Sequence, residues 1–246
     1  MLERIMAVLW ALDGAQPMTA SEIARKAKLP TSTAHRVATA MSALGMLERL
    51  PTGRFAVGSG LYELGNLAPR ERILSDTALP LMGDLFQSTR SMVQLAVLKE
   101  DKVLYVAKLT SMQLPRVPTR IGGRMPAYST ALGKSMLATT THFDIDTLAR
   151  GMKRYTPNTI TNPDTLLREL ERVRQEGVSY DRQETQLGVM CVAAPVTDSN
   201  GTAIAAISVA TWLNDADMIR RMSSAVREVA GTLSRQLQKV RGSLIA

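Results

Sequence analysis

The stretch from Thr19 to Val57 constrains the fold more than any other, because it packs a helix start, a tight turn, a second helix and a hairpin into very little chain. Thr19-Ala20-Ser21-Glu22 has the spacing of a capping box, in which the hydroxyl and the carboxylate reciprocally satisfy amides that have no intrahelical partner. It opens a short helix that must end before Pro30. Lys28-Leu29-Pro30 reads as a turn, and Thr31-Ser32-Thr33 as the cap of a further helix with an apolar stripe of Ala34, Val37, Ala38, Met41 and Leu44, terminated at Gly45. Upstream, Ile5, Val8, Leu9 and Leu12 form one helical stripe that stops at Asp13-Gly14. Downstream, Met46 to Val57 alternates about Pro51-Thr52-Gly53, a hairpin turn. Two short helices with a tight turn, followed at once by a hairpin, predict a winged helix-turn-helix over residues 1–58.

The face of the third helix opposite its stripe carries Ser32, Thr33, His35, Arg36 and Thr39, small donors and a guanidinium of the kind that meets base edges and phosphates. Arg49 and Arg54 flank the hairpin, where a wing lies along a phosphate backbone. With Thr19, Ser21 and Thr31 at the helix starts, they make up the expected contacts to double-stranded DNA. The competing reading is a helical subdomain whose Ser, Thr and Arg merely face solvent, and the hairpin weighs against it. A dinucleotide loop at Gly58-Ser59-Gly60 is discarded, since Glu63 occupies the third glycine position and no βαβ unit surrounds it. Net charge is +8, which suits a polyanionic partner. Residues 1–58 hold only seven basic residues against four acidic, so DNA contact would depend on side-chain placement, not on a basic tail.

Residues 59–75 read as a linker helix, with Leu61, Leu64, Leu67 and Ala68 ahead of Pro69 and then Ile73 and Leu74. From Met92 the period becomes that of strands: Val93 to Leu98 and Val103 to Ala107 form one hairpin, and Cys191 to Val196 and Ala203 to Val209 form another about Asp198-Ser199-Asn200-Gly201. Helices are indicated at 131–138, 163–176 and 216–240. The expected fold class is therefore α+β, with residues 76–246 forming an antiparallel sheet flanked by helices. Such a layer encloses space where a small molecule binds.

The apolar runs Val189 to Val196 and Ala203 to Ala210 are far shorter than the roughly 18–20 residues that cross a bilayer. The N-terminus does not read as a signal peptide, so a cytoplasmic location without membrane contact is expected. A single cysteine, Cys191, excludes an internal disulfide, and with only His35 and His142 besides it neither a metal site nor a cofactor is expected. Cys191 in an apolar strand reads as a small hydrophobe rather than a nucleophile. An enzyme with its active site around Asp181 and Cys191 stays as the alternative, although no paired acid and base supports it. Arg116, Arg120 and Arg124 form a basic strip that reads as a solvated face.

Leu29-Pro-Thr-Ser-Thr-Ala-His-Arg-Val37, Pro126-Ala-Tyr-Ser-Thr-Ala-Leu-Gly-Lys-Ser-Met-Leu-Ala138 and Gly188-Val-Met-Cys-Val-Ala-Ala-Pro-Val196 resemble signatures of the IclR family of bacterial transcriptional regulators. Tyr155-Thr-Pro-Asn-Thr-Ile-Thr161 and Ala203-Ile-Ala-Ala-Ile-Ser208 extend the resemblance over nearly the whole chain. It implies a winged helix-turn-helix, a dimerising linker helix and a GAF-like effector domain. It also implies a homodimer or homotetramer on a palindromic operator that represses or activates metabolic genes, and no catalysis. Carried over by motif, Leu114, Ala131, Leu132, Asp181, Cys191 and Ser208 would line the effector pocket. Where the family's pattern has a second serine two residues after Ser208, this chain has Ala210, and Leu132 stands in place of a smaller residue. Both changes make the site more apolar. The expected effector is an aromatic or bulkier organic acid instead of a small keto acid such as glyoxylate or pyruvate.

Overall fold

The structure, a computed structural model, describes residues 1–14, 16–114, 117–140, 143–212 and 216–245; His142 and Arg116 lie outside the described residues. The chain divides into two compact units, Met1–Arg72 and Ile73–Ala246.

The first unit holds α1 (Leu2–Ala11), α2 (Ala20–Ala27), α3 (Thr31–Ala43), a hairpin of β1 (Leu47–Arg49) and β2 (Phe55–Val57), and α4 (Ser59–Gly65). Val8, Ile23, Ala34, Ala38, Met41, Leu47 and Phe55 are buried together at its centre. The capping box forms as the spacing predicts: Glu22 N donates to Thr19 Oγ1 at 3.3 Å and Thr19 N to Glu22 Oε2 at 2.7 Å. The start of α3 differs from expectation. Its N-cap is Pro30, no side chain caps it, and Thr31 is already helical, because the fixed φ of a proline pre-sets the chain for entry into a helix. Leu44 also departs from the expected stripe: it is the C-cap, beyond the last helical turn, and is 72% exposed. Met18 exchanges two backbone hydrogen bonds with Phe55, at 2.9 and 2.7 Å, which pins the wing to the chain before α2. The glycines of 58–60 are explained by close approach, since a Cβ on Gly58 would lie 2.3 Å from the carbonyl oxygen of Gly45. The single linker helix expected over 59–75 is instead α4 and the start of α5 (Pro69–Thr89). The break precedes Pro69, which disfavours helical geometry in the residue before it and itself serves as a first helical residue.

In the second unit β3 (Met92–Lys99), β4 (Lys102–Leu109), β5 (Arg124–Pro126), β6 (Ser179–Arg182), β7 (Val189–Thr197) and β8 (Ala203–Trp212) form one antiparallel sheet of order β5-β4-β3-β8-β7-β6. Alternation along the strands gives the sheet two faces. Val93, Leu95, Val192, Ala194, Ile207 and Val209 share a core with Met82, Leu85, Val226 and Leu233, residues of α5 and of α9 (Ala216–Ile245). Ala96, Tyr105, Ala193 and Ala206 share another with a 3-10 turn at Ala127–Ser129, α6 (Ala131–Thr139) and α8 (Pro163–Glu176). A further helix, α7 (Ile145–Arg150), is capped by Asp144, which accepts from the backbone N–H groups of Asp146 and Thr147. A bulge in β4 at Val106, where Leu95 pairs Ala107 and Ala96 pairs Tyr105, moves Lys108 onto the face of Gln94.

Candidate functional site

On the first unit, Ser32, His35, Arg36 and Thr39 are exposed along α3, and Thr33 is half-buried. Thr31 is exposed at the uncapped start of the helix, where free backbone N–H groups and the helix dipole favour an anion. Arg49 is exposed on the wing with its guanidinium 5.9 Å from the ring centre of Phe55, and His35 meets the same ring edge-on at 6.3 Å. Phe55 thus ties the wing to the exposed face of α3.

Two expected contact residues are occupied by the fold. The Thr19 hydroxyl accepts from Glu22 N and donates to Glu22 Oε2 at 3.0 Å. Arg54 donates from Nη2 to Glu22 Oε2 at 2.8 Å and from Nε to the carbonyl of Pro17 at 2.9 Å. The Thr19 hydrogen bonds and the Arg54 guanidinium hold the Glu22 carboxyl below its ordinary range. Ser21 is exposed on α2.

The second unit contains a small cavity between the sheet face of Ser208 and the start of α6. Of the residues expected there, Ala131, Leu132, Asp181, Cys191 and Ser208 line it together. Leu114 does not, and lies in a turn in which its N–H donates to the carbonyl of Ser111. Gln94, Tyr105, Val117, Thr119, Met125, Thr130, Thr185 and Val189 also line the cavity and were not anticipated. Gln94 did leave a signal, as the polar residue in the apolar run Met92 to Leu98. Thr119 left none.

Register explains how these residues meet. Asp181, Cys191, Ala210 and Met92 are partners on one rung across β6, β7, β8 and β3. Lys108, Gln94, Ser208 and Ala193 are partners on the neighbouring rung across β4, β3, β8 and β7. The α6 end of the cavity depends on Gly133, where a Cβ would lie 2.2 Å from the carbonyl oxygen of Ala127. Thr130 caps α6 by accepting from Gly133 N at 3.0 Å, which leaves the first turn, including the lining residues Ala131 and Leu132, at the cavity.

Asp181 is buried, not a solvated loop carboxylate. Its Oδ1 accepts from Glu184 N at 2.6 Å and its Oδ2 from the Thr185 hydroxyl. Burial raises its pKa against the pull of those bonds and of Lys134. Lys134, fully buried on α6, is bound to Glu184 Oε1 and lies 3.7 Å from Glu169 Oε1. Burial likewise raises the Glu184 pKa. Burial pushes the Cys191 thiol well above its ordinary value, with Asp181 adding to the effect, so the sulfur stays protonated and is no nucleophile. The Ser208 hydroxyl is buried and has no partner among the described residues. Among the described residues no cluster of His, Cys, Asp and Glu could hold a metal ion, and no helix is long and apolar enough to cross a membrane.

Two family models match this chain: the IclR helix-turn-helix domain over residues 1–51 and the bacterial transcriptional regulator IclR C-terminal domain over residues 70–235. It is 32% identical over 209 residues to the HTH-type transcriptional regulator KdgR of Escherichia coli, covering 84% of this chain and 80% of that one. Among solved structures it resembles an IclR homologue from Microbacterium hydrocarbonoxydans complexed with 4-hydroxybenzoate. That match has a TM-score of 0.89 and 30% identity, and covers 97% of this chain and 99% of the other. It also resembles the Thermotoga maritima IclR protein, with a TM-score of 0.76 and 30% identity over 96% of this chain and 97% of that one.

Proposed function

The chain belongs to the IclR family of bacterial transcriptional regulators, a DNA-binding regulator with an effector domain and not an enzyme, and from that premise we propose how it works. A homodimer or homotetramer reads a palindromic operator in the cytoplasm. The exposed face of α3, with Ser32, His35, Arg36 and Thr39, enters the major groove, while Thr31 at the helix start and Arg49 on the wing bear on phosphates. Ser21 and Thr33 flank that contact. Thr19 and Arg54 act indirectly, by fixing Glu22 and the wing.

An organic acid with an apolar or aromatic body occupies the cavity of Ala131, Leu132, Asp181, Cys191 and Ser208, and its preference for one conformation shifts operator affinity. The observation that carries this reading is the buried, unpartnered hydroxyl of Ser208, a residue of a cavity whose lining combines apolar side chains such as Leu132, Met125 and Val189 with a few polar ones. A polar group left unsatisfied inside a protein costs free energy that a ligand's oxygen recovers. That the related Microbacterium protein was crystallised with 4-hydroxybenzoate fits an aromatic acid.

The test pairs operator selection from random DNA with thermal unfolding against small, aromatic and sugar acids. Arg36→Ala is expected to weaken the selected operator by about 1–3 kcal/mol if it reads a base. A true effector at 100 times its dissociation constant adds about 2.7 kcal/mol of stability. Selection that yields no palindrome, or stabilisation by no acid in the panel, would refute the corresponding half of the proposal.

A further inference from the structure

Thr119 has an unusual set of partners. Gln94 Nε2 donates to its hydroxyl oxygen at 2.6 Å, and Lys108 Nζ donates to the same oxygen at 3.2 Å and to the Thr119 carbonyl at 2.7 Å. A hydroxyl has two acceptor lone pairs and one proton to give. Both lone pairs are taken by groups that can only donate, so the Thr119 proton must be given elsewhere. Thr119 lines the cavity.

We propose that Thr119 is a dedicated hydrogen-bond donor to the effector's carboxylate, made so by Gln94 and Lys108, and that Lys108 sets the preference of the cavity for an acid over a neutral analogue. The inference rests on the reading of the cavity as the effector site. Three observations place the carboxylate here. Gln94 and Ser208 are register partners, so the unpartnered Ser208 hydroxyl stands beside the Thr119 donor and supplies a second one. The bulge at Val106 turns Lys108 to this face, and burial lowers the pKa of its ammonium, as for a cation short of a counter-ion. Asp181 lies four strands along the sheet from Lys108, on β6. The sheet face thus runs from an acidic end to a basic one, and a carboxylate at the Gln94 end avoids Asp181. Lys108 acts through Thr119 and its field and is a positioning residue.

The test is calorimetric titration of the full chain with 4-hydroxybenzoate and its neutral isostere 4-hydroxybenzamide. The wild-type protein is expected to prefer the acid by about tenfold, as for a charge-assisted hydrogen bond. Thr119→Val should weaken both probes, since each offers a carbonyl oxygen to the lost donor, and Thr119→Ser should restore both. Thr119→Ala serves in place of the valine variant if that folds poorly. Lys108→Met should weaken the acid by about tenfold while leaving the amide nearly unchanged, and Lys108→Arg should keep the preference. Thr119→Val that binds the acid as the wild type does, or Lys108→Met that keeps the acid preference, would overturn the assignment alone. A wild-type protein that bound neither probe would overturn the aromatic-acid reading of the cavity, and this assignment with it.

Discussion

Replacing Lys134 by methionine isolates the buried charge that supports the cavity. Lys134 is fully buried and its ammonium is bound to Glu184 Oε1, while Glu184 is 3% exposed and its other oxygen has no partner among the described residues. Glu169, at 3.7 Å from the ammonium, has other cations: Arg172 at 2.6 Å and Arg182 at 3.4 Å. Losing Lys134 therefore strands Glu184 in particular. Methionine keeps most of the volume, so the cost is chiefly that of an uncompensated buried charge, about 3–5 kcal/mol. At about 2–4 °C per kcal/mol, the unfolding transition of the second unit should fall by roughly 6–20 °C. The stranded carboxyl can escape by taking up a proton. Its folded pKa then lies further above the ordinary glutamate value, the folded state binds more protons than the unfolded, and stability rises as pH falls toward about 4.3. Thermal unfolding at pH 5 and pH 8 should thus show the larger loss at pH 8. Lys134→Met/Glu184→Met, which removes both charges, should recover more than half of it. A loss below about 1 kcal/mol, equal at both pH values and not relieved in the double variant, would show that this ion pair does not support the fold.

Two other perturbations follow from the geometry. Asp181→Asn keeps an acceptor for Glu184 N but removes a carboxyl whose pKa burial raises. The wild type has no penalty from this group below about pH 4 and an increasing one above, so urea titrations should show it losing ground to the variant as the pH rises from about 4, and a difference that stays constant from about pH 3 to pH 8 would contradict the raised pKa. Gly58→Ala brings a Cβ to 2.3 Å from the Gly45 carbonyl oxygen, and Gly133→Ala one to 2.2 Å from that of Ala127. Each should cost about 1–3 kcal/mol by overpacking, the first in the winged unit and the second in the cavity unit, as hydrogen exchange would localise.

What the sequence by itself determined is local. The capping box at Thr19, the stop at Gly45, the turn at Pro51-Thr52-Gly53 and the period-2 runs about Asn200-Gly201 act over a few residues, and periodicity with turn chemistry suffices to read them. The signature runs contain Ala131, Cys191 and Ser208, and the family resemblance assigns them, with Asp181, to one pocket. What the tertiary structure decided is pairing at long range. Nothing near Thr119 in the chain announces that Gln94 and Lys108 will occupy its lone pairs. That follows from strand register and from one bulge in β4, and a one-residue shift would turn Lys108 to the other face. Arg54 reads as a free guanidinium beside a hairpin turn until folding brings Glu22 within 2.8 Å. The burial of Lys134 follows only once α6 packs between the sheet and α8. Charge and hydrogen-bond capacity are written in the sequence, but the partner that consumes or frees them is chosen only when distant strands and helices pack.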